Sequence, residues 1–206
     1  MLFRDRTDAA QKLLAELQRQ QIAADVVLAL PRGGVVLGKL IADGLGVPLD
    51  LVIPRKIGAQ GDPEYAIGAI TENGIAVWNE AEKERAGPIW LKKIMAEETA
   101  EARRRRAKYL PGGKRVPVTG KRVLVVDDGI ATGLTMRAAV TELRAEGAAH
   151  ITVAVPVAPQ DGVDLVLRNA DHVVVLHAPP FFGALGAFYT TFDQVSDDEV
   201  IRLLRA

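Results

Sequence analysis

Four consecutive apolar residues, Val123, Leu124, Val125 and Val126, run directly into two carboxylates, Asp127 and Asp128. A short β-branched run without polar alternation reads as a strand buried on both faces, as in a parallel sheet covered by helices. The acids stand at the carboxyl end of that strand, where open α/β sheets place their ligands. The stretch that follows, Gly129-Ile130-Ala131-Thr132-Gly133-Leu134-Thr135, is small and hydroxyl-bearing and opens a helix over residues 136–146. Its backbone N–H groups, the Thr132 and Thr135 hydroxyls and the helix N-terminus together suit a phosphate. A sugar phosphate satisfies both halves, with its hydroxyls on the acids and its phosphate in the loop.

The rest of the chain repeats the alternation of strand and helix. Apolar runs at residues 26–30, 49–54, 151–157 and 172–176 read as strands; residues 35–45 and 161–169 read as helices. Ala10, Leu13, Leu14 and Leu17 mark one face of an opening helix, with Thr7 as its cap. The pattern predicts an α/β fold with an open, mostly parallel sheet and helices on both faces. Between the second strand and the signature strand the order breaks down. Residues 56–64 carry Gly58, Gly61 and Pro63 and read as a mobile loop, and a hairpin follows around Glu72-Asn73-Gly74. Residues 88–109 form a long charged helix, and Pro111-Gly112-Gly113 then breaks the chain. Its run Arg103 to Arg106 follows Glu97, Glu98 and Glu101 at spacings that allow pairs such as Glu101 with Arg105. The run therefore predicts a solvated or oligomer-facing helix, not a nucleic-acid contact. Ser196-Asp197-Asp198-Glu199 is a capping box for a last helix.

Composition removes several alternatives. The 206 residues suit one domain and carry no net formal charge, so no global field favours nucleic acid or an anionic membrane. There is no cysteine, which excludes disulfides, thiolate metal sites and a thiol nucleophile. His150, His172 and His177 are scattered without metal-ligand spacing. The longest uncharged stretch, residues 173–192, is interrupted by Pro179-Pro180 and Gly183, and the N-terminus lacks the apolar core of a signal peptide. A cytoplasmic protein is expected.

The strand at residues 26–30 ends in Pro31-Arg32-Gly33-Gly34, where glycines permit close backbone approach to an anion and Arg32 supplies charge-assisted donors. Together with residues 123–135, this loop resembles the two halves of the site in type I phosphoribosyltransferases. The resemblance covers roughly residues 22–192 and is sharply diagnostic only at 123–135. It implies a phosphoribosyltransferase-like core over about residues 22–176, a mobile loop over about 56–65 and a small hood lobe over about 177–206. It further implies that phosphoribosyl pyrophosphate (PRPP) is the donor, Mg²⁺ the cofactor, a nitrogenous base the acceptor and a homodimer the assembly. Asp127 and Asp128 would hold the ribose hydroxyls, directly or through metal-bound water. Gly129, Ile130, Ala131, Thr132, Gly133, Leu134 and Thr135 would hold the 5′-phosphate. Arg32, Gly33, Gly34, Arg55 and Lys56 would take the pyrophosphate. In the family the loop at Pro31-Arg32 often holds a non-prolyl cis peptide.

Two positions depart from the family members that use 6-oxopurines. Ala131 stands where those carry an aspartate acting on the base, and Leu134 where many carry a Lys or Arg. Both argue against hypoxanthine or guanine, and they leave Glu64 as a candidate general acid or base, against the alternative of a surface carboxylate. Phe181, Phe182 and Tyr189 would offer a base platform in the hood, with lobe core as their alternative role. The strand and its acid pair also resemble those of receiver domains. A receiver needs an acceptor aspartate on a later strand, and Leu176-His177-Ala178 supplies none. A Walker loop is excluded because Arg115 occupies the place of its first glycine before Gly120-Lys121. A PRPP-binding regulator without catalysis, or an enzyme acting on a related ribose phosphate, remains the rival reading.

Overall fold

The computed structural model describes residues 2–112 and 114–206; Met1 and Gly113, the latter part of the expected chain break, lie outside the described residues. In chain order the elements are α1 (Arg6–Arg19), β1 (Val26–Ala29), α2 (Gly33–Leu45), β2 (Leu49–Leu51), β3 (Arg55–Ala59), β4 (Asp62–Ile70) and β5 (Ala76–Trp78). Then come α3 (Glu80–Arg85), α4 (Pro88–Tyr109), β6 (Arg122–Val126), α5 (Leu134–Ala145), β7 (His150–Val157), α6 (Gln160–Leu167), β8 (His172–His177) and α7 (Asp197–Arg205).

Five strands form a parallel sheet in the order β2-β1-β6-β7-β8. Strand alternation sorts the core into two layers. Val26, Leu28, Val123, Val125, Ile151 and Val153 bury on one face with Met136, Val140 and Leu143 of α5. Val27, Leu124, Val126 and Ala154 bury on the other against Leu13 and Leu17 of α1 and Leu37 and Ile41 of α2. From β1 the chain moves outward to β2, and from β6 it moves the opposite way through β7 to β8. The strand order therefore reverses between β1 and β6, and that is where a crevice opens in such sheets.

Residues 56–64, expected as a loop, instead belong to an antiparallel ribbon: β3, β4 and β5 form a three-stranded sheet beside the core. The glycines that read as breakers have another use. A Cβ on Gly58 would overlap the Pro63 backbone, and the ladder shifts register on both sides of Gly58. The segment is thus an irregular, bulged hairpin. The expected turn at Asn73-Gly74 is present, with Gly74 N–H on the Thr71 carbonyl at 3.0 Å.

Helix α4 matches its expected span and packs Trp90, Leu91, Ile94 and Met95 against the ribbon. Its arginine run divides, with Arg103 and Arg104 exposed as the solvated reading expects and Arg106 turned inward. Arg104 and Arg105 pair with Glu101, but Arg103 donates to the Glu72 carbonyl (2.8 Å) and Arg106 reaches the buried Asp50 (2.9 Å). Two caps complete the picture. Asp5, not Thr7, caps α1 by accepting from Asp8 N–H (2.8 Å), and Ser196 caps α7 by accepting from Glu199 N–H (3.1 Å). The segment after β8 folds into a small lobe around a 3₁₀ turn at Leu185–Phe188, stitched to the N-terminus by Thr190 N–H on the Phe3 carbonyl (2.8 Å). Among the described residues no helix is long and apolar enough to cross a membrane.

Candidate active site

The two half-sites meet because of sheet register. Ala29 of β1 pairs with Val126 of β6, so the loop after Leu30 and the acids after Val126 leave the sheet side by side. The Pro31–Arg32 peptide is cis. Gly33 and Gly34 let this loop lie against the acids: a Cβ on Gly33 would overlap the Asp128 carboxylate, and one on Gly34 would sit 2.9 Å from Asp127 Cα. Any larger residue would displace the acid pair.

Asp127 Oδ1 accepts the Asp128 N–H at 2.8 Å. Asp128 Oδ2 accepts from Arg6 Nε at 2.8 Å, and both side chains of this pair are 12% exposed. Desolvation, and next the adjacent Asp128 charge, push the Asp127 carboxyl well above its usual range. Such a group favours a nearby cation or a hydroxyl donor.

Beyond the acids, the Ile130 N–H is spent on the Val157 carbonyl (2.9 Å). The N–H groups of Ala131, Thr132 and Gly133 and the hydroxyls of Thr132 and Thr135 have no hydrogen-bond partner among the described residues. Gly133 takes the left-handed conformation (φ 78°) that turns the loop into α5, whose first amides are free in the ordinary way of helix ends. Acids and loop line one cavity of about 460 Å³, closed from the side by Tyr65 of β4 and Leu185 of the hood. That is room for a sugar phosphate.

The other predicted residues divide. Lys56 and Glu64 line the same cavity, with Lys56 Nζ 3.1 Å from Glu64 Oε2. Arg55 does not join them: its Nε donates to Glu98 Oε2 (2.8 Å) on the α4 side of the ribbon. Arg32 does not line the cavity, and its side chain turns to Asp197 (3.7 Å). The aromatic platform is corrected. Phe181 is exposed, Phe182 stacks on Phe188 (5.4 Å), and Tyr189 is buried between Phe3 and Phe192. None of the three lines the cavity, and its aromatic wall is Tyr65.

Tyr189 serves the site differently. Its hydroxyl donates to the Asp128 carbonyl at 2.6 Å, and burial pushes its phenol up, so it stays a donor. Arg6 was not legible as a site residue. It stands at the first turn of α1, where the helix dipole disfavours a cation, and that mismatch was its one trace in the sequence. Its guanidinium lies over Phe192 (3.9 Å to the ring centre) and donates to the Asp193 carbonyl (2.6 Å), joining the N-terminus, hood and acids.

Among the described residues no group of three or more His, Asp or Glu side chains could cage a metal. Two adjacent carboxylates at an open cavity do suit Mg²⁺ brought in with a phosphorylated substrate, since this ion takes few protein ligands and keeps water.

A parallel sheet with an acid pair and an amide-rich loop at its switch point defines a class of open α/β proteins that take ligands at the carboxyl ends of their strands. Within that class, the chain belongs to the phosphoribosyl transferase domain family, whose model matches residues 3–177. It is 39% identical to TT1426 from Thermus thermophilus, and the structures superpose with a TM-score of 0.82 over 99% of this chain and 98% of that one. Rv0571c of Mycobacterium tuberculosis (strain ATCC 25618 / H37Rv), whose name assigns it provisionally to the phosphoribosyl transferases, is 40% identical over 98% of this chain and 46% of its own length. The chain thus spans about half the length of the curated relatives it matches. AQ2163 from Aquifex aeolicus, 10% identical over 83% of this chain and 73% of its own, shares the fold (TM-score 0.52).

Proposed function

We propose that the protein transfers the 5-phosphoribosyl group of PRPP to a nitrogen of a base and releases pyrophosphate. The supporting observation is the cavity itself, which joins an acid pair to unpartnered amides across a sugar-sized gap. In the reaction the bond from C1 of the ribose to pyrophosphate breaks and a bond from C1 to nitrogen forms; a proton on that nitrogen passes to a carboxylate. Asp127 and Asp128 hold the ribose hydroxyls, and their charge favours the oxocarbenium-like state. The amides and hydroxyls from Ala131 to Thr135 hold the 5′-phosphate. Lys56 and the backbone of Gly33 and Gly34 receive the pyrophosphate, and Glu64 on the ribbon is the candidate proton acceptor. Asp127 and Asp128 would hold Mg²⁺ arriving with the donor, and the ion would supply positive charge to the leaving group. Ala131 and Leu134 argue against a 6-oxopurine acceptor. A homodimer in the cytoplasm belongs to the same proposal, with the dimer checked by sedimentation.

Incubation with PRPP, Mg²⁺ and a panel of nucleobases tests the reading through pyrophosphate release. Release with at least one base supports it, and Asp128→Asn should then weaken Mg²⁺-dependent PRPP binding. Glu64→Gln should lower turnover with little change in PRPP affinity if Glu64 takes the proton. The Arg6–Asp128 ion pair favours one second reading, a regulator that binds PRPP without transfer, because it engages an acid the reaction needs. Tight PRPP binding with no release for any base would establish that reading instead.

A further inference from the structure

A second cavity, of about 490 Å³, lies behind the signature loop. It shares Thr132 and Leu134 of that loop and Tyr65 and Ala66 of the ribbon with the first cavity, but neither Asp127 nor Asp128 reaches it. Two guanidinium groups line it, Arg137 of α5 and Arg168 at the end of α6. Neither has an ion-pair partner among the described residues, and the one carboxylate in the lining, Glu80, is engaged by Lys83 at 3.3 Å. The Nε of Arg137 is one of three buried side-chain polar atoms without a hydrogen-bond partner among the described residues; the other two belong to Arg115 and Glu142, which pair with each other and lie outside this lining.

We propose that this cavity is a separate binding site for a phosphorylated small molecule. Guanidinium groups present planar forks of N–H donors that match phosphate oxygens, and neither arginine spends its fork on a carboxylate among the described residues. The Asn79 amide adds a neutral donor at the same wall, and Trp78 and Tyr65 supply apolar surface for the rest of the molecule. The ligand is distinct from the sugar donor because the acid pair lies on the other side of the loop. Its contact with Thr132 and Leu134 places it against the backbone that faces the donor phosphate. Occupancy of the two cavities is therefore coupled, and by linkage the coupling is reciprocal.

Trp78 and Trp90 are the only tryptophans, and Trp78 alone lines this cavity, so Trp90→Phe isolates its fluorescence. Titration of that protein with inorganic phosphate should give a saturable change. Arg137→Gln should weaken it about ten- to hundredfold, the loss of a charge-assisted contact. Arg168→Gln, an exposed position that leaves the fold alone, should weaken it in the same direction. Thr135→Val in the donor loop should leave this titration in place. No saturable response, a response indifferent to both arginine changes, or one abolished by Thr135→Val would overturn the proposal. Loss of PRPP binding with this titration intact would count against the donor assignment alone.

Discussion

The acid pair at the cavity and the charge network beneath the ribbon have the same ratio of carboxylates to guanidinium groups but opposite surroundings. At the cavity, Asp127 and Asp128 share Arg6. Beneath the ribbon, Asp50, Glu72, Glu142 and Glu146 share Arg106 and Arg115. In the network the surplus charge is absorbed internally. Asp50 accepts from Arg106 (2.9 Å) and from the Val116 N–H (2.7 Å), Asn73 donates to Glu146 (3.0 Å), and burial pushes the Glu72 and Glu146 carboxyls up. At the cavity the surplus lines a ligand-sized space instead. The contrast separates charge that ties the ribbon and α4 to the core from charge left available to a ligand.

The two arginines at the centres of these clusters break the comparison most directly. Arg115 bridges Glu142, which is 1% exposed, to Glu146 and Glu72. Arg115→Ala strands buried carboxylates and should cost about 3–5 kcal/mol, read as a fall in the denaturant midpoint. Arg6→Ala removes the same chemistry from a pair that opens on the cavity, where water and ligand replace it. Its cost should be smaller, about 1–3 kcal/mol. If the two changes cost the same, the distinction between a structural and an available surplus fails. PRPP with Mg²⁺ should restore stability to Arg6→Ala and not to Arg115→Ala, because only the first cluster is offered to that ligand.

What was legible in the sequence follows the same division. The parallel sheet announced itself through uninterrupted apolar runs, and the acid pair and phosphate loop through a contiguous string with local meaning. Helix α4 was bounded by Pro88 and by its own charge pattern. The ribbon at residues 56–64 was not legible, because Gly58, Gly61 and Pro63 have the local preferences of a loop. They are tolerated by a bulge that only cross-strand pairing reveals. The contacts of Arg6, Tyr189 and Arg106 were missed for a common reason. Their partners, Asp128, the Asp128 carbonyl and Asp50, are 122, 61 and 56 residues away, and no periodicity encodes such contacts. Arg55 and Lys56 were adjacent in the sequence and so looked alike, yet Arg55 pairs with Glu98 of α4 and Lys56 with Glu64 of the ribbon.

A third charge cluster sharpens the scale because it is not buried and lies apart from the acid-pair cavity. Asp197, in the first turn of α7, accepts from Lys108 Nζ (2.6 Å) and the Tyr109 hydroxyl (2.7 Å) at the end of α4. Those two bonds, Lys108 first, hold its carboxyl down at about 2. A lowered carboxylate pKa contributes stability above its unfolded value near 3.8, and that contribution is lost as pH falls through about 2. The side chain is 30% exposed and its lysine 42%, so solvent screens most of the pair's energy. Asp197→Asn should therefore cost less than about 1 kcal/mol at neutral pH, and less still in high salt. The difference from wild type should shrink further between pH 4 and pH 2, followed by chemical denaturation at each pH. A cost as large as that of Arg115→Ala would mean that this contact, rather than the network beneath the ribbon, fixes α4 to the core. A cost that did not diminish below pH 4 would assign the effect to the Tyr109 hydroxyl and the helix cap rather than to charge.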